Sequence, residues 1–565
     1  MNMTPTPRAA DILVAASDAS SREKSAAAYR CDGTDDEVQI NLAIDEMHDL
    51  NGGDVVLSTG IHKVNPAAGQ KEVEGTGDFI GGNRASTIVV GSDYSDFAVG
   101  DMVQISGGLR AGTNTLEDDH VEGIYTVKSI TADGINSTLV LNVYADIGVT
   151  WVGAAYHKQH YAIRLKEAVT LRGQGIYRPY LQMATAAGGT YGCDCIHVRS
   201  VAENGGFARL EALFLDGNYA NQTGSVGTSN GVVIGYGNLD YCMRDVFIGS
   251  CNGAGMIDDH GWGHLSYGNN IVEWCRGEGI SYQGNSADLS DAKVMANVGP
   301  GIILRRATYT RIRGCLIGGG TGGVEMQIRG GGENHMADCR MRGQEGTTAS
   351  FGYVKQGGAS GKTCQGNCFE NLMIKPPSGS IVAEFDGSAC HNYISGSLLK
   401  AAATMVPVTE TSGCQNNTWA FRSTRSDLGS YLEDNRYNDG VYNASGITIH
   451  QGVPVIYKEG AIQSSIDQVA SDNDPYFAGV AAISMASTGY GMMTTKGHAL
   501  AYIDGSHVDG QIQIGDFLAV WYVSGTSSLK KAVTGDTVVG KSLVQRLGGR
   551  QVQPVLLYER PFVMV

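Results

Sequence analysis

Cys251-Asn-Gly-Ala-Gly-Met256, Cys275-Arg-Gly-Glu-Gly-Ile280 and Asn297-Val-Gly-Pro-Gly-Ile302 are three versions of one hexad, and their reading decides the fold. Each ends in a Gly-apolar step. That step recurs as Gly231-Val232, Gly255-Met256, Gly279-Ile280, Gly301-Ile302 and Gly323-Val324, at spacings of 24, 24, 22 and 22 residues. Self-similarity at a period in this range marks a stacked-repeat architecture. Two residues past each first apolar position come Ile234, Asp258, Tyr282, Leu304 and Met326, on the same face of a strand. The alternate column reads Gly235, Asp259, Gln283, Arg305 and Gln327, which is polar. Ile248, Val272, Val294 and Leu316 mark a second strand in each repeat. Short strands, turn glycines and inward apolar columns predict an all-β chain built as a parallel β-helix. A helical repeat shows a 3.6-residue period and few glycines instead.

Working outward, the 565 residues suffice for several domains and a large core. Seventy-nine glycines against twelve prolines, with 17% charged residues, fit many tight turns rather than disorder. The net charge of −16 argues against nucleic acid or an anionic membrane as partner, since both attract cationic surfaces. There is no run of 18 apolar residues, so membrane insertion is not expected, and Met1–Arg8 has no signal-peptide core. Cys251/Cys275, Cys315/Cys339 and Cys390/Cys414 are each 24 apart, which places them as stacked interior thiols kept reduced. Cys193-Asp-Cys195 and Cys364-x3-Cys368 lack the paired partners of a zinc site, and no metal or cofactor is expected.

Towards the N-terminus, Ile12–Ala16 reads as a strand and Ser20-Ser-Arg-Glu23 as a capping box opening a short helix to Tyr29. A second helix follows Cys31-Asp-Gly-Thr-Asp-Asp36, with Val38, Ile40, Leu42, Ile44 and Met47 as its apolar positions. Gly52-Gly53 ends it, and Val55-Val-Leu57 is a strand before Gly60. Asp32–Asp36, Ala43-Ile44, Gly52–Leu57 and Gly60 together resemble the N-terminal cap of pectate-lyase-like right-handed β-helices, a pattern shared by phage tailspikes and carbohydrate-active proteins. A helix is physically suited to that end, because it covers an open strand edge and an apolar cross-section.

The expected layout is 1–90 for the cap and first coils, and 91–160 for a small antiparallel β insertion. The β-helix occupies 161–421, a polar connector 422–447, and a C-terminal β domain 448–565. In that last part, Gln513–Asp516, Lys530-Lys-Ala and Gly535–Gly540 resemble small β domains of phage fibre and capsid-decoration proteins.

Chemistry concentrates in Met256-Ile-Asp-Asp-His-Gly-Trp-Gly-His264. Asp258 stands in an otherwise apolar column, so it is tucked inward or sits at a distorted strand end, where desolvation suits a general acid. Asp259 is expected to face solvent and stay ionised. Two carboxyls in unlike environments match glycoside hydrolysis. The pair followed by Gly-x-Gly-His resembles the polygalacturonases of this fold, although that family's upstream Asn-Thr-Asp and downstream Arg-x-Lys are absent. Asp258, Asp259 and His260 are therefore the catalytic candidates, with Trp262, His264, Tyr282, Gln283 and Arg305 for substrate. A lyase alternative uses His260 or Tyr267 as base with Arg276 neutralising a uronate. Trp151, Tyr236 and Trp262 are candidate sugar-stacking rings.

The resemblances imply a virion spike or fibre: a homotrimer, assembled with other virion proteins in the host cytoplasm, that binds and in one reading depolymerises a cell-surface polysaccharide. A cellular carbohydrate-active enzyme and a non-catalytic virion decoration are the alternatives.

Overall fold

Gly231, Gly255, Gly279 and Gly301 mark points where the chain passes too close to the interior for a side chain. A Cβ on Gly231 would lie 2.4 Å from Ile248 Cγ2, and one on Gly255 2.2 Å from Val272 Cγ1. On Gly279 it would meet Val294 Cγ1 at 2.3 Å, and on Gly301 Ile317 Cγ2 at 2.6 Å. The two sequence signals of the repeat, glycine and second-strand aliphatic, are thus one packing contact. Gly279→Ala is expected to cost about 1–3 kcal/mol by overpacking, read as a lower denaturant midpoint for the coils; an unchanged midpoint would show that the contact can relax.

The computed structural model describes residues 11–68, 70–81, 85–110, 123–142, 150–184, 192–199, 207–222, 229–235, 237–238, 240–259, 261–262, 265–284, 286–318, 325–342, 354–357, 364–375, 381–386, 389–399, 406–410, 418–424, 437–443, 445, 447–450, 453–457, 465–468, 477–481, 490–504, 517–523, 526–533, 536–542 and 550–563. The chain falls into two units, 1–340 with 356–368 and 387–390, and 341–355 with 369–386 and 391–565.

In the first unit every coil contributes to three parallel ladders. The first runs through Gly53–Leu57, Val169–Arg172, Ala208–Glu211, Tyr241–Arg244, Leu265–Gly268, Ala287–Ser290, Arg311–Arg313 and His335–Ala337. The second holds Ile61–Val64, Tyr180–Met183, Phe214–Asp216, Phe247–Gly249, Ile271–Glu273, Lys293–Met295 and Leu316–Gly318. The third holds Tyr161–Lys166, Asp194–Arg199, Val232–Ile234, Met256–Asp258, Ile280–Tyr282, Ile302–Thr308 and Met326–Gly332. This is a parallel β-helix. A single left-handed residue turns the chain from first ladder to second, as at Asp245, Asn269 and Asp291, with φ of 55°, 52° and 53°. Asp and Asn accept that conformation more readily than most residues.

Val232, Met256, Ile280 and Ile302 stack in one column as expected, but the fifth member is Met326. Val324 lies outside the described residues. The second-ladder column likewise continues from Val294 to Ile317, while Leu316 pairs with Lys293. The Gly-Val step at 323 gives a period of 22, whereas the strand itself keeps 24. Buried asparagines tie coil to coil at the turns: Asn270 accepts from Val246 N–H and donates to Met243 O, and Asn297 does the same with Cys275 and Val272. Cys251, Cys275, Cys315 and Cys339 are buried free thiols; Cys390 and Cys414 lie outside the described side chains.

At the N-terminal end, helix α1 spans Ser21–Ala26 with the Ser20/Glu23 capping box in place, and stops before Tyr29. Helix α2 spans Asp36–Asp49 and buries Ile40, Ala43, Ile44 and Met47. Val38 and Leu42 are exposed, contrary to the expectation, because Ala43 and not Leu42 completes the inward stripe. The helix lies against the first strand of the third ladder. There Asn41 replaces a neighbouring strand, donating to Ala162 O at 2.9 Å and accepting from Arg164 N–H at 2.9 Å. Gln70 does likewise for both backbone groups of Tyr161. Polar amides thus satisfy an edge that would otherwise invite another strand.

Between the first-coil strands Ile61–Val64 and Tyr161–Lys166 the chain builds a separate sheet. It holds Glu74–Ile80, Ala85–Val89, Met102–Ser106, Leu109–Arg110, Gly123–Thr131, Thr138–Asn142 and Thr150–Lys158. Six of these strands pair around a closed circuit, since Glu74–Ile80 meets both Ala85–Val89 and Thr150–Lys158. The insertion is a small antiparallel barrel that opens at Glu74, so the boundary read at residue 91 falls inside it. Trp151 packs on Phe79 in its core and is not a sugar-stacking ring.

In the second unit, Ile381–Asp386 and Tyr393–Leu399 pair in parallel with Val406–Glu410 and Thr418–Thr424. Antiparallel strands follow, among them Tyr490–Asp504, Phe517–Val523 and Arg550–Val563. Tyr437–Asn443, inside the stretch read as a connector, pairs antiparallel with Tyr490–Lys496 and so belongs to this sheet.

Candidate functional site

Asp258 ends a third-ladder strand, stacked between Ile234 and Tyr282. It points inward and is 0% exposed, and the Tyr267 hydroxyl donates to its Oδ2. Tyr241 packs edge-on to Tyr267, with ring centroids 6.1 Å apart. Burial, and then the Asp258 charge, pushes the Tyr267 hydroxyl well above its ordinary pKa, which keeps it a proton donor inside the coil. The carboxyl is thus an interior polar group satisfied by hydrogen bonding.

Asp259 occupies the opposite face, as strand alternation requires, but it does not meet solvent. It is 1% exposed, and its Oδ2 accepts from the Ile124 N–H of the barrel at 2.6 Å. Met102 and Ile124 pack over Val233 and Ile257 beside it. The outer face of the third ladder is therefore roofed by the barrel as far as Asp259, which corrects the expectation of a solvated carboxylate. Access to a polymer is closed at both aspartates, one by the coil wall and one by the barrel. Asp259→Ala is expected to speed amide exchange at Ile124 by about 10- to 100-fold, the range of a hydrogen bond to a charged group; unchanged exchange would mean that the barrel is held by other contacts.

Of the other candidates, Tyr282 lies in the interior column and is buried, so it offers nothing to a substrate. Gln283 is buried on the outer side. Arg305 is partly exposed there and lies 3.8 Å from Glu278. Trp262 pairs through its backbone with Asn238; its side chain, His260, His264 and Tyr236 lie outside the described residues. The lyase set is not assembled either. Tyr267 is interior, and Arg276 is engaged with Asn252 at 3.2 Å and over the Tyr219 ring at 4.7 Å.

Two outer features were not read from the sequence. On the second ladder, Tyr180, Phe214 and Phe247 form a ring stack with centroids 4.6 and 4.3 Å apart. Tyr177 and Trp274 flank Phe247 and are 63% and 52% exposed. Their irregular spacing, 33 residues from Phe214 to Phe247, hid the column. On the third ladder Arg305 stands directly beside Arg329, a pairing hidden by the same two-residue offset that put Gln327 in its place. The turn Trp274–Gly279 joins the two faces.

No protein-family model and no curated relative matches the chain. Among solved structures, it is similar to the A-module of the Azotobacter vinelandii mannuronan C-5 epimerase AlgE6, at 14% identity and TM-score 0.33, over 69% of this chain and 96% of that one. It is similar to ORF18 of Geobacillus virus E2, at 12% identity and TM-score 0.38, over 92% and 83%. The enzymatically active domain of bacteriophage CBA120 tailspike protein 2 matches at 12% identity and TM-score 0.33, over 81% and 77%. The likeness is one of fold. Among the described residues no helix is long and apolar enough to cross a membrane.

Proposed function

We propose that this chain is a virion spike or fibre protein whose β-helix binds a cell-surface polysaccharide along its outer faces, as a homotrimer joined to other virion proteins. The observation that carries the glycan reading is the exposed aromatic ledge of Tyr177 and Trp274 on the ring stack of the second ladder. Flat rings held rigid at the surface of a long repetitive face suit a polymer of sugar rings, which presents C–H groups on one side and hydroxyls at its rim. The N-terminal cap motif and the fibre-like C-terminal strands support the virion part. Cleavage by Asp258 and Asp259 finds no support in their surroundings, and the reading is one of binding.

The test is retention on bacterial envelope polysaccharide, with oligosaccharide release followed in the same samples. Trp274→Ala is expected to weaken binding at least about fivefold, near the 1 kcal/mol at which an interface residue counts. Retention unaffected by Trp274→Ala and Tyr177→Ala together would move the binding face elsewhere. Light scattering is expected to give three times the chain mass; a stable monomer would sink the spike reading.

A further inference from the structure

The coils from Lys293 to Arg342 carry eight Lys or Arg against three Asp or Glu, in a chain whose net charge is −16. Within them Arg305 and Arg329 face each other across one rung of the third ladder, about 4.8 Å apart at Cα. Like charges directly opposite are unfavourable. What opposes them is slight. Among the described residues the carboxylate beside Arg305 is Glu278 at 3.8 Å, beyond hydrogen-bond reach, and none pairs with Arg306 or Arg329. Arg305 Nε and Arg306 Nε and Nη2 are buried donors with no hydrogen-bond partner. Arg306 is held in the left-handed region at φ +49°, uncommon for a long side chain. Arginine guanidinium takes carboxylate, sulfate or phosphate through paired N–H donors.

We infer that the polysaccharide is acidic and that Arg305 and Arg329 receive its charged groups on the third-ladder face. This rests on the glycan reading above and names the class of glycan. The rung spacing is close to the length of one sugar residue, so neighbouring arginines meet neighbouring residues of an extended chain. Glu278, in the turn that follows Trp274, lies 3.8 Å from Arg305, which stands one coil further on.

The experiment measures binding of the full chain to polygalacturonate, to its methyl ester (the same backbone without the charge) and to dextran sulfate. Polygalacturonate is expected to bind at least tenfold tighter than the ester, with an affinity that falls as salt rises. Arg305→Gln with Arg329→Gln is expected to lose at least tenfold on the charged polymer. Arg313→Gln, on the first ladder beside Asp288, is expected to change nothing. Arg329→Gln without ligand is expected to be at least as stable as wild type, because a like-charge contact is relieved; a purely structural arginine would give the opposite. Preference for dextran sulfate, lost in the double variant, supports the inference with a sulfate ester as the anion. Equal binding of the ester, or an unaffected double variant, overturns it while leaving the glycan reading intact if envelope polysaccharide is still retained. Wild type binding none of these polymers, envelope material included, overturns both.

Discussion

Replacing Asp258 with alanine is expected to destabilise the coils by about 3 kcal/mol, a cavity combined with a stranded Tyr267 hydroxyl. The carboxyl is 0% exposed and accepts from Tyr267 inside the coil, where neither group can turn to water. The double variant Asp258→Leu with Tyr267→Phe removes both polar groups and matches the Ile234 and Leu304 of the same column. It is expected to recover most of the loss, since replacing a buried polar pair by apolar groups of similar shape is often nearly neutral. The check is a double-mutant cycle on the denaturant midpoint. If the double variant folds normally but loses release of oligosaccharide that wild type shows, Asp258 acts on substrate and the interior reading fails.

Above about pH 9 the protein is expected to unfold within a narrow range. Burial raises the thiols of Cys193 and Cys251 well above their ordinary pKa and that of Cys195 to about 12; for Cys251 the hydrogen-bonded Cys275 contributes first. Burial likewise raises Tyr241 and Tyr267 well above the usual tyrosine value. A group whose folded pKa is raised stabilises fully below its unfolded pKa and loses that contribution as pH climbs towards the folded value. The thiols therefore start to oppose folding near pH 9 and the tyrosines near pH 10. Each contributes a slope of about 1.4 kcal/mol per pH unit. Five such groups reach about 7 kcal/mol per unit above pH 10, comparable to the whole stability of an ordinary domain. Circular dichroism under reducing conditions and tyrosinate absorbance should change together. Complete ionisation of every tyrosine near pH 10, Tyr241 and Tyr267 included, with the fold intact would contradict the buried pair.

The architecture was legible because a coil leaves local traces. Gly255, Gly279 and Gly301 recur where a Cβ would strike the second ladder, and alternation about Met256, Ile280 and Ile302 separates inside from outside. The Ser20/Glu23 capping box is local as well, closed within one helical turn. Alternation says which face a residue takes, but not what lies above that face. Asp259 is outward as read, yet the barrel that closes over it comes from Ile124, 135 residues earlier in the chain. The barrel's closure depends on Glu74–Ile80 meeting Thr150–Lys158, a pairing with no local signature. The Arg305–Arg329 pair needed the register of one further coil, which strand pairing sets and the Gly323-Val324 step obscured. The sequence by itself determined the coil, its inner column and its N-terminal cap, because these repeat or close over short distances. Only the tertiary structure decided that Asp258 is sealed within and Asp259 roofed over while arginines and aromatic rings remain outside, because burial of an outer face depends on which distant segment folds across it.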